Sequence, residues 1–297
     1  MQDQPRRLRR IRRRTRQTTP LPRTGWPFET TRESRLSAKL RMYRRLALLV
    51  GWTALSVPIQ LACIALPGRW EVGFARRFWR VMTTILGIRV RRFGTMARPA
   101  AGRGVVYVSN HSSWLDIAVL GGQLEGCFVA KAEVADWPVI RTVAKLGRTV
   151  FVSRQKANTA KERDQMQARL AAGDGLILFP EGTTSDGARV LPFRTPFFAV
   201  AAQDPPPIIQ PVTIVYDRLG GLPVGRFSRI AFSWYGDMDL ASHFSQFGRQ
   251  RGMRVSVVLH APLDPREFAD RKALAGEVWR VVANSADRLR QNRPLAA

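Results

Sequence analysis

Apolar residues fall into two regimes along this chain. Residues 46–66 hold no charged side chain in 21 positions, enough for a helix to cross a hydrocarbon core of about 30 Å. Farther on, apolar residues come in short runs divided by polar loops: residues 105–108, 147–154, 175–179 and 208–215, the last broken by Pro211. Runs this short, rich in β-branched residues and ended by Gly, Pro or Asn, predict buried strands. Residues 117–120 predict the apolar side of a helix, 156–172 a polar helix, and 273–289 a helix packed on the sheet through Leu274, Val278, Val281, Val282 and Leu289. Residues 229–235 and 255–259 predict later strands, and the alternation as a whole is that of an α/β domain.

Charge divides the chain further. Forty-eight Lys and Arg stand against 22 Asp and Glu, a formal +26, and residues 1–45 carry 15 basic and three acidic residues. That tail has no apolar periodicity and is expected to be disordered. A basic tail suits nucleic acid or an anionic lipid surface, and the uncharged segment directly after it favours lipid. The far flank is basic too, with Arg69, Arg76, Arg77, Arg80, Arg89, Arg91 and Arg92, which argues against a simple crossing. The expectation is a re-entrant or in-plane anchor, with Pro58 and Gln60 near the point where the chain turns back. Residues 74–88 would form an amphipathic element pointing Phe78, Trp79, Val81 and Met82 at lipid. A full crossing and a buried core helix are the alternatives. Three regions follow: a tail over 1–45, membrane-anchoring helices over 46–90, and a catalytic domain over 91–297.

The densest chemistry lies in residues 110–116, where His111 and Asp116 stand five apart after a predicted strand. On one regular helix that spacing separates side chains by roughly 140°, so they meet only if His111 precedes the helix and Asp116 lies in its first turn. A carboxylate could then hold one imidazole nitrogen and leave the other to take a proton. Ser113 with Asp116 equally fits a capping box, in which the acid satisfies amides at a helix start. Ser112 and Ser113 read as caps rather than nucleophiles, and amides at that helix start are candidate donors to a developing oxyanion. Cys63 and Cys127 suggest neither a disulfide framework nor a metal site. His243 and His260 lack a carboxylate at this spacing and read as ordinary polar contacts.

Four blocks in order carry a family resemblance: His111 to Asp116, Gly147 to Arg154, Phe179-Pro180-Glu181-Gly182-Thr183, and the run through Pro211. Together they resemble the glycerolipid acyltransferases typified by 1-acylglycerol-3-phosphate acyltransferase. The resemblance implies a mixed sheet flanked by helices behind an N-terminal membrane-anchoring element, and a membrane-associated enzyme with its active site facing the cytoplasm. It implies His111 as general base oriented by Asp116, Arg154, Glu181, Gly182 and Thr183 as acceptor-binding residues, and Pro211 on the acyl-donor side. The co-substrate would be acyl-CoA or acyl carrier protein, with no cofactor, no metal and no nucleic acid. Thr184 stands where members using a glycerol phosphate often carry arginine, and the loop with Leu191-Pro192-Phe193-Arg194 after it looks more like the branch that acylates lyso-ornithine lipid. Both acceptors stay open. Outside the family, a non-catalytic basic protein binding membrane or nucleic acid is the remaining reading.

Overall fold

The structure, a computed structural model, describes residues 34–99, 103–131, 144, 147, 149–152 and 159–295. Arg154 and residues 1–33 lie outside them. Helix α1 (Arg35–Ala65) starts where the Ser34 hydroxyl accepts the Ser37 amide at 3.2 Å, a serine N-cap. Residues 35–45, expected in a disordered tail, therefore belong to helix α1. Leu40, Met42 and Tyr43 give this stretch enough apolar side chains to continue the helix backward from Leu46. Pro58 does not turn the chain: α1 runs through it, and the return comes at residues 66–69, where Gly68 takes φ 110°, a left-handed conformation that glycine adopts freely.

Helix α2 (Trp70–Ile85) then runs back along α1, with Trp52 Nε1 donating to the Phe78 carbonyl at 3.2 Å and Gln60 Nε2 to the Glu71 carbonyl at 3.2 Å. Phe78 and Trp79 do not face lipid as expected. Phe78 is buried beside Trp52, and Trp79 lies against Gly121, where an added Cβ would come within 2.5 Å of the indole. Burying these rings between helices satisfies them better than the surface would. Most of the exposed large apolar side chains belong to α1, among them Leu40, Leu48, Val50, Leu55, Leu61 and Ile64, with Trp70 at the start of α2. That exposure removes the buried-core-helix alternative, although α1 is long and apolar enough to cross a membrane.

Among the described residues eight strands form one mixed sheet: β1 (Ile88–Phe93), β2 (Val105–Ser109), β3 (Gly126–Lys131), β4 (Val150–Val152), β5 (Gly175–Leu178), β6 (Ile208–Leu219), β7 (Leu222–Pro223) and β8 (Met253–Leu259). The order is β1-β8-β6-β2-β5-β3-β4, with β7 a short hairpin partner of β6. Strands β2 to β6 run parallel, while β8 is antiparallel to β6 and leads β1 with it. Side chains alternate across the pleat. Tyr107, Ile177, Ile214 and Val257 join a core under α2 and α3 (Leu115–Gln123), while Val106, Val108, Leu176 and Ile209 join one under α6 (Arg271–Arg290). Covering both faces explains why these strands read as continuous apolar runs. Helix α4 (Thr159–Ala171) packs beside β4 and β5, and α5 (Leu240–Gly248) against α1.

Two strand expectations need correction. Pro211 does not break its strand, because β6 pairs with β2 straight through it, Val108 opposite Pro211. Residues 229–235 form no strand but a short 3-10 turn followed by irregular backbone. Its apolar side chains are claimed elsewhere: Phe232 stacks on Tyr216 at 4.5 Å, and the Trp234 amide donates to the Ser112 carbonyl at 2.9 Å.

Candidate active site

The carboxyl ends of β2, β5 and β6 lie on one edge of the sheet, where parallel α/β folds place their chemistry. Strand β2 ends at Ser109, and the side chain of Asn110 ties the next turn to β6, accepting the Ile214 amide and donating to the Ile214 carbonyl, both at 2.9 Å. His111 follows in irregular backbone, and α3 begins at Leu115 with Asp116 in its first turn. This is the arrangement the spacing demanded.

Asp116 is wholly buried and makes four contacts. Its Oδ2 faces His111 Nδ1 at 2.8 Å and accepts the amides of Ser112 at 2.7 Å and Ser113 at 2.9 Å; its Oδ1 accepts the Tyr216 hydroxyl at 2.7 Å. A buried charge needs such partners, since an unpaired one is costly. One carboxylate thus both meets the imidazole and accepts amides ahead of the helix. The Ser112 and Ser113 amides are committed to Asp116. Because the carboxylate only accepts, neutral imidazole carries its hydrogen on Nδ1 and leaves the Nε2 lone pair free. Burial and the Asp116 charge push the Tyr216 hydroxyl well above its ordinary range, so it stays a donor.

The loop after β5 fixes the histidine from the other side. Its ring stacks on Phe179 with centroids 3.9 Å apart and planes 15° from parallel, and Phe179 stacks in turn on Phe128. The His111 amide donates to Glu181 Oε1 at 2.9 Å, and the His111 carbonyl accepts the Ser185 amide at 2.9 Å and hydroxyl at 3.1 Å. Glu181 is buried, its Oε2 accepting the Leu191 amide at 3.2 Å. Burial pushes its carboxyl up to about 8, and Asp116 adds to the rise against the two amides that favour the anion. Gly182 takes φ 69° beneath the Arg194 side chain, and Thr183 is exposed beside it.

The sequence candidates thus divide. His111, Asp116 and Glu181 meet in one network, with Gly182 and Thr183 on the same loop. Pro211 lies within the sheet beside Val108, its carbonyl accepting the His260 amide at 3.0 Å. Arg154 is outside the described residues. His243 accepts from Trp114 Nε1 at 3.0 Å, and His260 Nε2 meets the Thr213 hydroxyl at 2.8 Å; burial lowers both imidazoles, His260 to about 4. They are the polar contacts expected. Tyr216, Phe179 and Ser185 were not foreseen. Tyr216 stands 100 residues from its partner, and the one signal in the sequence was a hydroxyl in an apolar strand, which needs a partner when buried. Among the described residues no group of His, Cys, Asp and Glu side chains is placed to hold a metal ion.

The chain is similar to known proteins. The Acyltransferase family model matches residues 89–215. A lyso-ornithine lipid O-acyltransferase of Brucella abortus is 37% identical over 243 residues, covering 80% of this chain and 90% of that one. A 1-acyl-sn-glycerol-3-phosphate acyltransferase of Neisseria gonorrhoeae is 28% identical over 194 residues, 64% of this chain and 73% of that one. Among solved structures, the 1-acyl-sn-glycerophosphate acyltransferase of Thermotoga maritima superposes with TM-score 0.61 at 22% identity, covering 88% of this chain and 98% of that one, and shares the fold. With a relative matched at this identity over nine-tenths of its length, and its own mixed sheet and flanking helices, the chain belongs to the acyltransferase family and is an acyltransferase.

Proposed function

We propose that this enzyme works at the membrane surface, moving a fatty acyl group from an acyl thioester, acyl-CoA or acyl carrier protein, to the hydroxyl of a lysolipid. The observation that carries the chemistry is the Asp116 carboxylate on His111 Nδ1 at 2.8 Å, which leaves Nε2 unprotonated in the neutral ring. A lipid alcohol is a weak nucleophile until its proton leaves. In the proposed step its oxygen attacks the thioester carbonyl carbon while Nε2 takes the hydroxyl proton. The tetrahedral intermediate then collapses with cleavage of the carbon–sulfur bond, and the imidazolium returns the proton to the departing thiolate. Asp116 holds the tautomer and stabilises the imidazolium, and Phe179 fixes the ring plane.

Lyso-ornithine lipid is the acceptor this reading favours. The Brucella relative carries that name at the higher identity, and Thr184 puts a hydroxyl where a guanidinium would fork a phosphate. A 1-acylglycerol 3-phosphate acceptor is the second reading, favoured by Arg194 lying over Gly182. The membrane part rests on α1. Arg41 and Arg45 hold the carbonyls of residues 248–250 near its start, while Arg69, just past its end, holds the Ala172 carbonyl at 2.7 Å and Asp174 at 3.0 Å. Both ends grip one domain, so the helix lies along the membrane face, apolar side chains in lipid and arginines toward the cytoplasmic headgroups.

The test is an assay of detergent-solubilised protein with lyso-ornithine lipid and 1-acylglycerol 3-phosphate against acyl-CoA and acyl carrier protein, products read by mass spectrometry. Faster acylation of lyso-ornithine lipid is expected. Preference for the glycerol phosphate would favour the second reading, and no product from any pair would reject both.

A further inference from the structure

A cleft of about 240 Å³ opens on the Asp116 side of the dyad, between the carboxyl end of β6, residues 224–232 and the end of α6. Its lining is mixed: the stacked, buried pair Tyr216 and Phe232 forms a floor, and Arg226, Arg229 and Arg290 stand around it. The one carboxylate in the lining, Asp217, is already spent: it accepts two nitrogens of Arg254 at 2.8–3.2 Å and the Ser256 hydroxyl at 3.0 Å. Arg290, only 16% exposed, pairs at 3.1 Å with Asp287, whose own side chain is 60% exposed. Among the described residues the guanidinium groups of Arg226 and Arg229 have no hydrogen bond or ion pair. Burial lowers Arg290 from its ordinary range, and the neighbouring Arg229 charge adds to this against Asp287.

Guanidinium groups gathered in a half-buried cleft repel one another and lose hydration, and an anion between them reverses both costs. Arginine's planar fork matches phosphate oxygens. At roughly 30 Å³ per water the space would hold about eight waters, more than a bare phosphate fills, and the aromatic floor suits an organic stem. We propose that this cleft binds a phosphate ester, its phosphate forked between Arg229 and Arg290 and its stem on the Tyr216–Phe232 floor. Through Tyr216 the ligand sits one side chain from Asp116. The ester comes either from a soluble thioester carrier such as coenzyme A or from an anionic lipid headgroup. Only this choice of sources rests on the lysolipid acyltransferase reading.

The experiment titrates full-length protein in detergent, at ionic strength held constant with sodium chloride, with inorganic phosphate, coenzyme A and dioctanoyl phosphatidic acid, followed by calorimetry and thermal unfolding. Saturable binding of at least one ester is expected, tighter than inorganic phosphate. It should weaken about tenfold or more in Arg229→Gln and in Arg290→Gln and be unchanged in Arg280→Gln, whose side chain is exposed and paired with Glu277 on α6. Tighter coenzyme A marks the soluble source, tighter phosphatidic acid the lipid. Phosphate binding as tightly as either ester overturns the ester assignment. No saturable binding in the unmutated protein, or binding that survives both arginine variants, overturns the site, and the first of these decides even if a variant fails to fold. Binding is read without acyl transfer, so its failure leaves the proposed catalytic function standing.

Discussion

In the proposed mechanism Asp116 serves catalysis and folding with the same two oxygens, so its variants should separate the roles by measurement. Asn at this position offers one acceptor and turns an amide donor toward groups that are themselves donors. Turnover should drop by about 10⁴-fold through the wrong tautomer, with a stability loss of about 1–3 kcal/mol from the abandoned amides. A loss of stability with near-normal turnover at permissive temperature would leave capping as the sole role. His111→Ala should abolish transfer while liposome binding persists, since the anchor lies elsewhere; residual activity near the unmutated level would reject the assignment. Tyr216→Phe strands Asp116 Oδ1 and should lower kcat roughly 10–100-fold, the usual effect of removing an orienting partner, with KM little changed. Glu181 gives a pH signature. Its folded carboxyl is raised to about 8 from an ordinary 4.5, so the folded state binds the extra proton between those values. Its contribution to stability is whole below about 4.5 and lost as pH rises through 8. Thermal unfolding across that window should show the unmutated protein losing ground to Glu181→Gln; a constant difference would show that Glu181 stays ionised.

Helix α1 and the β5 loop show how an element's role depends on what packs on it. α1 displays apolar side chains on much of its circumference, whereas α2 packs Phe78 and Trp79 against α1 and α3. Tyr43, Val50 and Leu61 share one stripe at helical spacing. Val50→Asp with Leu61→Asp should therefore weaken liposome flotation about tenfold or more, while activity on detergent-dispersed substrate remains. Equal flotation of variant and unmutated protein would move the lipid contact off α1. The β5 loop was legible as a loop from Pro180 and Gly182, but its work was not. Its residues hold the ring and both backbone groups of His111.

For the molecule as a whole, the proposed membrane binding joins charge to apolar surface. Residues 1–33 carry ten basic and three acidic side chains, +7 of the formal +26, and each Lys or Arg near an anionic leaflet contributes about 1 kcal/mol. Removing residues 2–33 should weaken binding to anionic liposomes strongly at low salt and less at high salt, as screening removes the same term. Sedimentation across sodium chloride concentrations that shows no difference between full and shortened chains would take the tail out of membrane binding.

The sequence by itself determined the α/β class, the strands around the site and the five-residue spacing of His111 and Asp116. These are local: β-branched runs, turn residues and helix geometry act over a few residues, and a motif keeps its register in any fold that places it after a strand. The tertiary structure alone decided that Tyr216 completes the carboxylate, that Phe179 backs the imidazole, that α2 faces inward and that Arg229 and Arg290 share a cleft. Those relations join residues tens to a hundred or more positions apart. They arise when the sheet order brings β6 beside β2 and when both faces are covered, and no spacing along the chain encodes which distant side chain will arrive.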